Sequence, residues 1–173
     1  MPILLALLDD PETTSRVEGL LALRSFLSKC RVDVLRDTGL DMVFEEAVLP
    51  TLLFLPGLTP EVESLQLLEA AYSSLLQLVS SRFPADAAQD GKHALLDKVL
   101  RQGVLAGYAH AADHVAIVEV LGRYAELIIN EMGINASKHL KVVALSTPPP
   151  SRGHLCPSDC PLGPPSNVPL RNG

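Results

Sequence analysis

Thr59-Pro60-Glu61-Val62-Glu63-Ser64-Leu65-Gln66-Leu67-Leu68-Glu69-Ala70-Ala71-Tyr72-Ser73-Ser74-Leu75-Leu76-Gln77-Leu78-Val79-Ser80-Ser81-Arg82-Phe83-Pro84 is the stretch that decides the fold. Thr59, Pro60 and Glu61 supply a helix start: a capping residue, a proline tolerated in the first turn, and an acid that complements the helix dipole. Leu65, Leu68, Tyr72, Leu75, Val79 and Phe83 then step by three or four residues, which places them on one face of an α-helix. Leu67, Leu76 and Leu78 widen the stripe, as expected for a helix covered on more than one side. Pro84 cannot continue it and opens a loop to Gly91.

The same punctuation recurs on either side. Asp10-Pro11-Glu12 opens a helix expected to run to about Lys29, with Val17, Leu20, Leu23, Leu27 and Cys30 on its covered face. Cys30 is therefore a core residue in this reading. Gly39 precedes a second helical stretch from about Asp41 to Phe54, which Pro50 should end or kink. Another helix is expected from about Lys92 to Ala109. Asp113 then caps a helix from about His114 to Met132, with Val118, Leu121, Ala125, Ile128 and Met132 inward. Glu119, Arg123, Glu126 and Asn130 lie opposite, and Gly133 follows as a C-terminal stop. A last helix is expected from Ile134 to just before Pro148. The starts at Pro11 and Pro60 lie 49 residues apart, and Asp113 follows Pro60 by 53. The repeating unit is thus a helix pair of roughly fifty residues, close to the HEAT and armadillo type. Such units bury their faces by stacking into an α-solenoid. An irregular helical bundle is the competing arrangement.

Composition agrees with helices packed on helices. Of 173 residues, 47% are hydrophobic but only 4% aromatic, with no Trp, so the core must be aliphatic. No alternating run supports a sheet. Composition shifts near Ser146, since residues 146–173 hold eight of the fourteen prolines. Few large apolar side chains there offset chain entropy. The expected organisation is a helical-repeat domain of about three helix pairs, 1–145, and a disordered Pro-rich tail, 146–173.

The net charge is −6, and the basic residues form no run of three, which argues against nucleic acid and acidic membrane partners. Met1–Leu8 is apolar but lacks a basic start and breaks at Asp9-Asp10, unlike a secretory signal. Three cysteines, Cys30, Cys156 and Cys160, make no disulfide framework. A cytoplasmic or nuclear location follows as the expectation. The apolar start and the proline-rich finish also suggest that the natural protein is longer.

Candidate chemistry is sparse. His110-Ala111-Ala112-Asp113-His114 outlines an inverted zinc-hydrolase motif, but Asp stands where a Glu base is needed, and Asp113 is better used as a cap. His154, Cys156 and Cys160 lack an evident fourth ligand. Adjacent Glu45 and Glu46 diverge on a helix and are assigned to an exposed face. Gly103 and Gly107 are spaced to let a neighbouring helix approach closely. No catalytic residue, metal, cofactor or small-molecule substrate is therefore expected. For partner binding, the candidates are Leu55 and Leu58, flanking the Pro56-Gly57 turn, together with Tyr108 and His110 in a second loop.

Two runs carry a family resemblance. One is Phe44-Glu45-Glu46-Ala47-Val48-Leu49-Pro50-Thr51-Leu52-Leu53-Phe54-Leu55-Pro56-Gly57-Leu58-Thr59-Pro60-Glu61. The other is Leu105-Ala106-Gly107-Tyr108-Ala109-His110-Ala111 with His114-Val115 and the stretch to Val120-Leu121. Over about residues 3–141 the chain resembles the family of the second Tel-two-interacting protein, above all its fungal forms. The resemblance implies a helical-repeat subunit of the Triple-T co-chaperone complex. Such a subunit binds its sister subunits and supports the maturation and stability of phosphatidylinositol-3-kinase-related kinases, alongside the ninety-kilodalton heat-shock chaperone. It implies no catalytic residue and no cofactor. After Lys141 the sequence departs from the family pattern, and a retained intron or shifted frame is the hypothesis for the tail; a transcript read through residues 141–148 tests it. The alternatives are a general transport or trafficking adaptor on the same fold, a zinc hydrolase using His110 and His114, and a product with no function of its own.

Overall fold

The computed structural model describes residues 2–84 and 89–139. The helix read most directly from sequence is also the central one: Glu61–Arg82, flanked by Pro60 and by Phe83. In chain order the elements are α1 (Pro2–Leu8), α2 (Thr13–Lys29), α3 (Val32–Asp37) and α4 (Leu40–Val48), which passes into a 3-10 segment, Leu49–Leu53. There follow α5 (Glu61–Arg82), α6 (Gln89–Val99), a π-helical segment Leu100–Leu105, α7 (Ala106–Ala111), α8 (Val115–Met132) and a 3-10 segment Gly133–His139. The fold is all-α. Among the described residues β-pairing is limited to one isolated bridge, Pro56 to Thr59.

Two layers result. Helices α2, α5 and α8 lie side by side in one; α1, α4 with its 3-10 extension, and α6 to α7 line up in the other. The first layer is parallel and in register. The Ser74 hydroxyl, fully buried, donates to the carbonyls of Leu20 at 2.9 Å and Ala70 at 2.8 Å, and Ser81 donates to Leu27. On the other flank of α5, the Glu69 carboxylate accepts from Arg123, the Glu69 carbonyl accepts from the Tyr124 hydroxyl, and His114 meets Glu61. Across the second layer Lys98 reaches Glu45. Apart from the local Ser74–Ala70 bond, these pairs are separated by 53 to 55 residues. Each buried neutral hydrogen bond contributes about 1 kcal/mol net. More important, a repeated offset holds neighbouring helix pairs at one height.

The core between the layers is aliphatic, as composition requires. Leu20, Leu23, Leu27, Leu52, Leu67, Leu68, Leu75, Leu96, Leu100, Ile117 and Ile128 are buried, with Phe44 and Tyr72 as its large rings. The inward stripe of α8 is turned slightly from the expected one: Ile117 and Val120 are buried whereas Val118 is half-exposed. Tyr124 joins that stripe and stacks on Tyr72, their rings 4.7 Å apart and 17° from parallel.

Helix boundaries depart from expectation in ways the backbone explains. Helix α2 begins at Thr13, because the Asp10 carboxylate accepts the Glu12 amide proton at 2.8 Å and closes a turn instead of capping the helix. Helix α8 is capped positionally by His114, not Asp113. Pro50 does end the α-helical stretch expected to reach Phe54; the chain tightens into the 3-10 segment with the proline in its first turn. The helix expected over Lys92–Ala109 is longer and contains the π-helical turn. Met1–Leu8 carries no helical stripe, yet Pro2–Leu8 is a helix that packs on α2 and α4 with Leu8 buried. Gly133 does stop α8, at φ +55°. The stretch after it is 3-10 as far as His139. The expected tail, with His154, Cys156 and Cys160, lies outside the described residues.

Gly103 and Gly107 are close-approach positions, each facing a different neighbour. A Cβ at Gly103 would lie 2.6 Å from Leu52 Cδ1 and 2.8 Å from Tyr72 Oη; one at Gly107 would lie 3.2 Å from Leu121 Cδ1. Cys30 is half-buried at the C-terminal cap of α2, packed against the core.

Glu45 is not on an exposed face. Its carboxylate accepts from Arg82 at 2.9 Å and Lys98 at 2.7 Å, while Arg82 Nε also binds buried Asp41 at 2.7 Å. This four-member network ties α4, the end of α5 and α6 together. Only Glu46 of the adjacent pair is exposed.

Candidate interaction surface

The loop between the 3-10 segment and α5 has a fixed shape. Pro56 and Gly57 turn the chain, with Gly57 at φ +111°, a conformation that side-chain-bearing residues rarely adopt. The Leu55 carbonyl accepts from the amides of Leu58 at 3.2 Å and Thr59 at 3.3 Å. Leu55 thereby points inward and is buried, and Leu58 is thrown outward, 88% exposed.

A groove of about 340 Å³ runs beside this turn, lined by Leu53, Leu55, Pro56, Gly57, Leu58 and His110. Three of the four residues singled out from sequence therefore meet at one place: Leu55, Leu58 and His110. Leu55 forms part of the wall from a buried position. Tyr108 does not line the groove; it is half-buried and packs against the core.

Tyr108 and His110, expected in a loop, lie in helix α7, and the turn after it is tied to the start of α5 by the contact of His114 Nδ1 with Glu61 Oε2 at 3.1 Å. Among the described residues no group of three or more His, Cys, Asp or Glu side chains is placed to hold a metal ion. No helix among them is long and apolar enough to cross a membrane.

Sequence reasoning missed part of this surface. Val62 and Val115, 67% and 79% exposed, open α5 and α8 beside the paired Glu61 and His114. Leu53, 46% exposed, adds a wall to the groove. The available signal was position: Val62 and Val115 are aliphatic residues in the first turn of helices whose covered stripes begin later.

The two tyrosines at the α5–α8 contact are held protonated. Burial pushes the Tyr72 phenol far above the ordinary range, reinforced by neighbouring Tyr124. Burial also raises Tyr124, against a lowering influence from Arg123. Neither group is placed to act as a base.

No curated protein and no solved structure matches the chain. The sequence profile of the Tti2 family matches residues 1–145, which comprise every element described above. With that match over most of its length, the chain belongs to the Tti2 family.

Proposed function

We propose that this chain is a non-enzymatic scaffold subunit of the Triple-T co-chaperone complex, and that through its sister subunits it supports the maturation and stability of phosphatidylinositol-3-kinase-related kinases. The observation that carries the reading is the family match across residues 1–145. Its mechanism is shape. Helix pairs of the HEAT and armadillo kind, held at one offset, form an extended surface whose parts do not move independently. The constant 53-to-55-residue spacing of the inter-helix bonds supports stacked repeats over an irregular bundle. The heat-shock chaperone and the kinases are engaged indirectly, in the cytoplasm or nucleus.

The test is affinity purification of the tagged full chain from its native cells, with mass spectrometry of repeated preparations. The expected result is near-stoichiometric recovery of large helical-repeat sister subunits, with kinase clients in smaller amounts. Recovery of transport receptors and cargo instead, or of neither class, overturns the proposal.

A further inference from the structure

We infer that the groove beside the Pro56-Gly57 turn is a docking site for a partner segment that inserts an aliphatic side chain and carries Lys or Arg on either side of it. The inference rests on the scaffold reading and adds the chemistry of the occupant.

The groove is preformed. Gly57 and the two amides donating to the Leu55 carbonyl fix one wall, and the Glu61–His114 pair fixes the neighbouring loop. At about 340 Å³ it sits at the small end of binding pockets, which span roughly 300 to 1,000 Å³. Its walls are aliphatic apart from His110, so they offer little to a polar metabolite and much to a hydrocarbon side chain. Leu58, on its wall, is 88% exposed, and Val62 and Val115 are exposed in the first turns of α5 and α8. An apolar anchor seated among such contacts is the usual source of interface affinity.

Charge selects the flanks of the occupant. No Lys or Arg occurs between Arg36 and Arg82, or between Arg101 and Arg123. The same two stretches bring Glu61, Glu63 and Asp113 to the surface at these loops, all exposed. Arg16, from α2, lies with its guanidinium over the Phe54 ring at 4.3 Å and its Nε buried. An acidic segment would be repelled. A second copy of a chain carrying −6 would bring the same carboxylates against themselves.

Fluorescence anisotropy with two labelled amphipathic peptides tests this. They share Leu spacing, but one has Lys and the other Glu at the polar positions. The full chain is expected to bind the Leu–Lys peptide and to lose about tenfold in affinity between 50 and 300 mM salt, as charge screening requires. Leu58→Asp should weaken binding at least tenfold, and Glu63→Gln with Asp113→Asn severalfold, with helical circular dichroism unchanged in both. Leu58 is exposed enough that its replacement spares the core.

Absence of binding, equal binding of both peptides, or undiminished binding by Leu58→Asp overturns the inference. A dimer abolished by Leu58→Asp in sedimentation also overturns it, in favour of a second copy. Affinity purification separates the two proposals: sister subunits recovered equally by wild type and Leu58→Asp refute this surface alone, whereas none recovered by wild type refutes complex membership.

Discussion

Replacing Tyr72 with Phe should make the protein more stable. Tyr72 is fully buried, and its hydroxyl has no hydrogen-bond partner among the described residues. The ring cannot swing to find one, because it stacks on Tyr124 and its oxygen faces Gly103. A buried hydroxyl without a partner costs about 1 to 3 kcal/mol. Tyr72→Phe removes that cost and keeps the ring. The lost dispersion contacts of one oxygen amount to a few tenths of a kcal/mol. The net expectation is a gain of about 1 to 2 kcal/mol. At roughly 2 to 4 °C per kcal/mol for a chain of this size, the melting temperature should rise by about 2 to 8 °C. Urea unfolding of the full chain, followed by helical circular dichroism, should show a higher midpoint at unchanged slope. A loss of about 1 kcal/mol or more would mean that the hydroxyl is satisfied, and would refute the description of the α5–α8 contact.

Four further outcomes are expected. Because both phenols are raised in the folded state while unfolded tyrosines ionise near pH 10, the folded state retains protons that the unfolded state releases. Stability is therefore intact below pH 10 and falls above it, by up to about 1.4 kcal/mol per pH unit from Tyr72 with a further contribution from Tyr124, and less steeply in Tyr72→Phe; unfolding midpoints from pH 9 to 11 check this. Arg82→Ala strands the buried Asp41 carboxylate and half of the Glu45 contacts, and should cost about 2 to 3 kcal/mol in the same urea assay. Arg31→Ala, which breaks a pair exposed on both sides, should leave the midpoint in place. Finally, two glycine-to-alanine changes should differ in sign. Gly122 has nothing within 4 Å of a new Cβ and should gain about 0.5 to 1 kcal/mol from helix propensity, whereas Gly103→Ala should lose about 1 to 2 kcal/mol by crowding Leu52 and Tyr72. A stabilised Gly103→Ala would contradict the packing of the π-helical turn.

The long helices were legible because each carries an apolar stripe at helical pitch: Leu20, Leu23 and Leu27 in α2, and Leu68, Tyr72, Leu75 and Val79 in α5, are all buried. What escaped the sequence was information that periodicity does not hold. Pro2–Leu8 is apolar nearly all round, so it shows no stripe, and it becomes a helix only by lying on α2 and α4. The six-residue α3 is shorter than two turns, too short for a pattern. The π-helical turn keeps helical spacing before and after itself, so its extra residue leaves no mark. Local sequence points Glu45 to solvent because its partners Arg82 and Lys98 lie 37 and 53 residues away. At the candidate surface, turn chemistry located Leu55 and Leu58 but could not say that one faces in and the other out. That depends on which carbonyl the Leu58 and Thr59 amides find.

The parallel, in-register arrangement of α2, α5 and α8 has an electrical consequence. Each helix places roughly half a unit of positive charge at its N-terminus and half a negative unit at its C-terminus, and here the three like poles share an edge. Asp10, Glu12, Glu61, Glu63 and Asp113 congregate at the N-terminal edge, whereas Lys29 and Arg82 close helices at the other. The carboxylates therefore offset three positive poles that would otherwise repel one another along a single edge, which lets parallel helices stack side by side at little electrostatic cost.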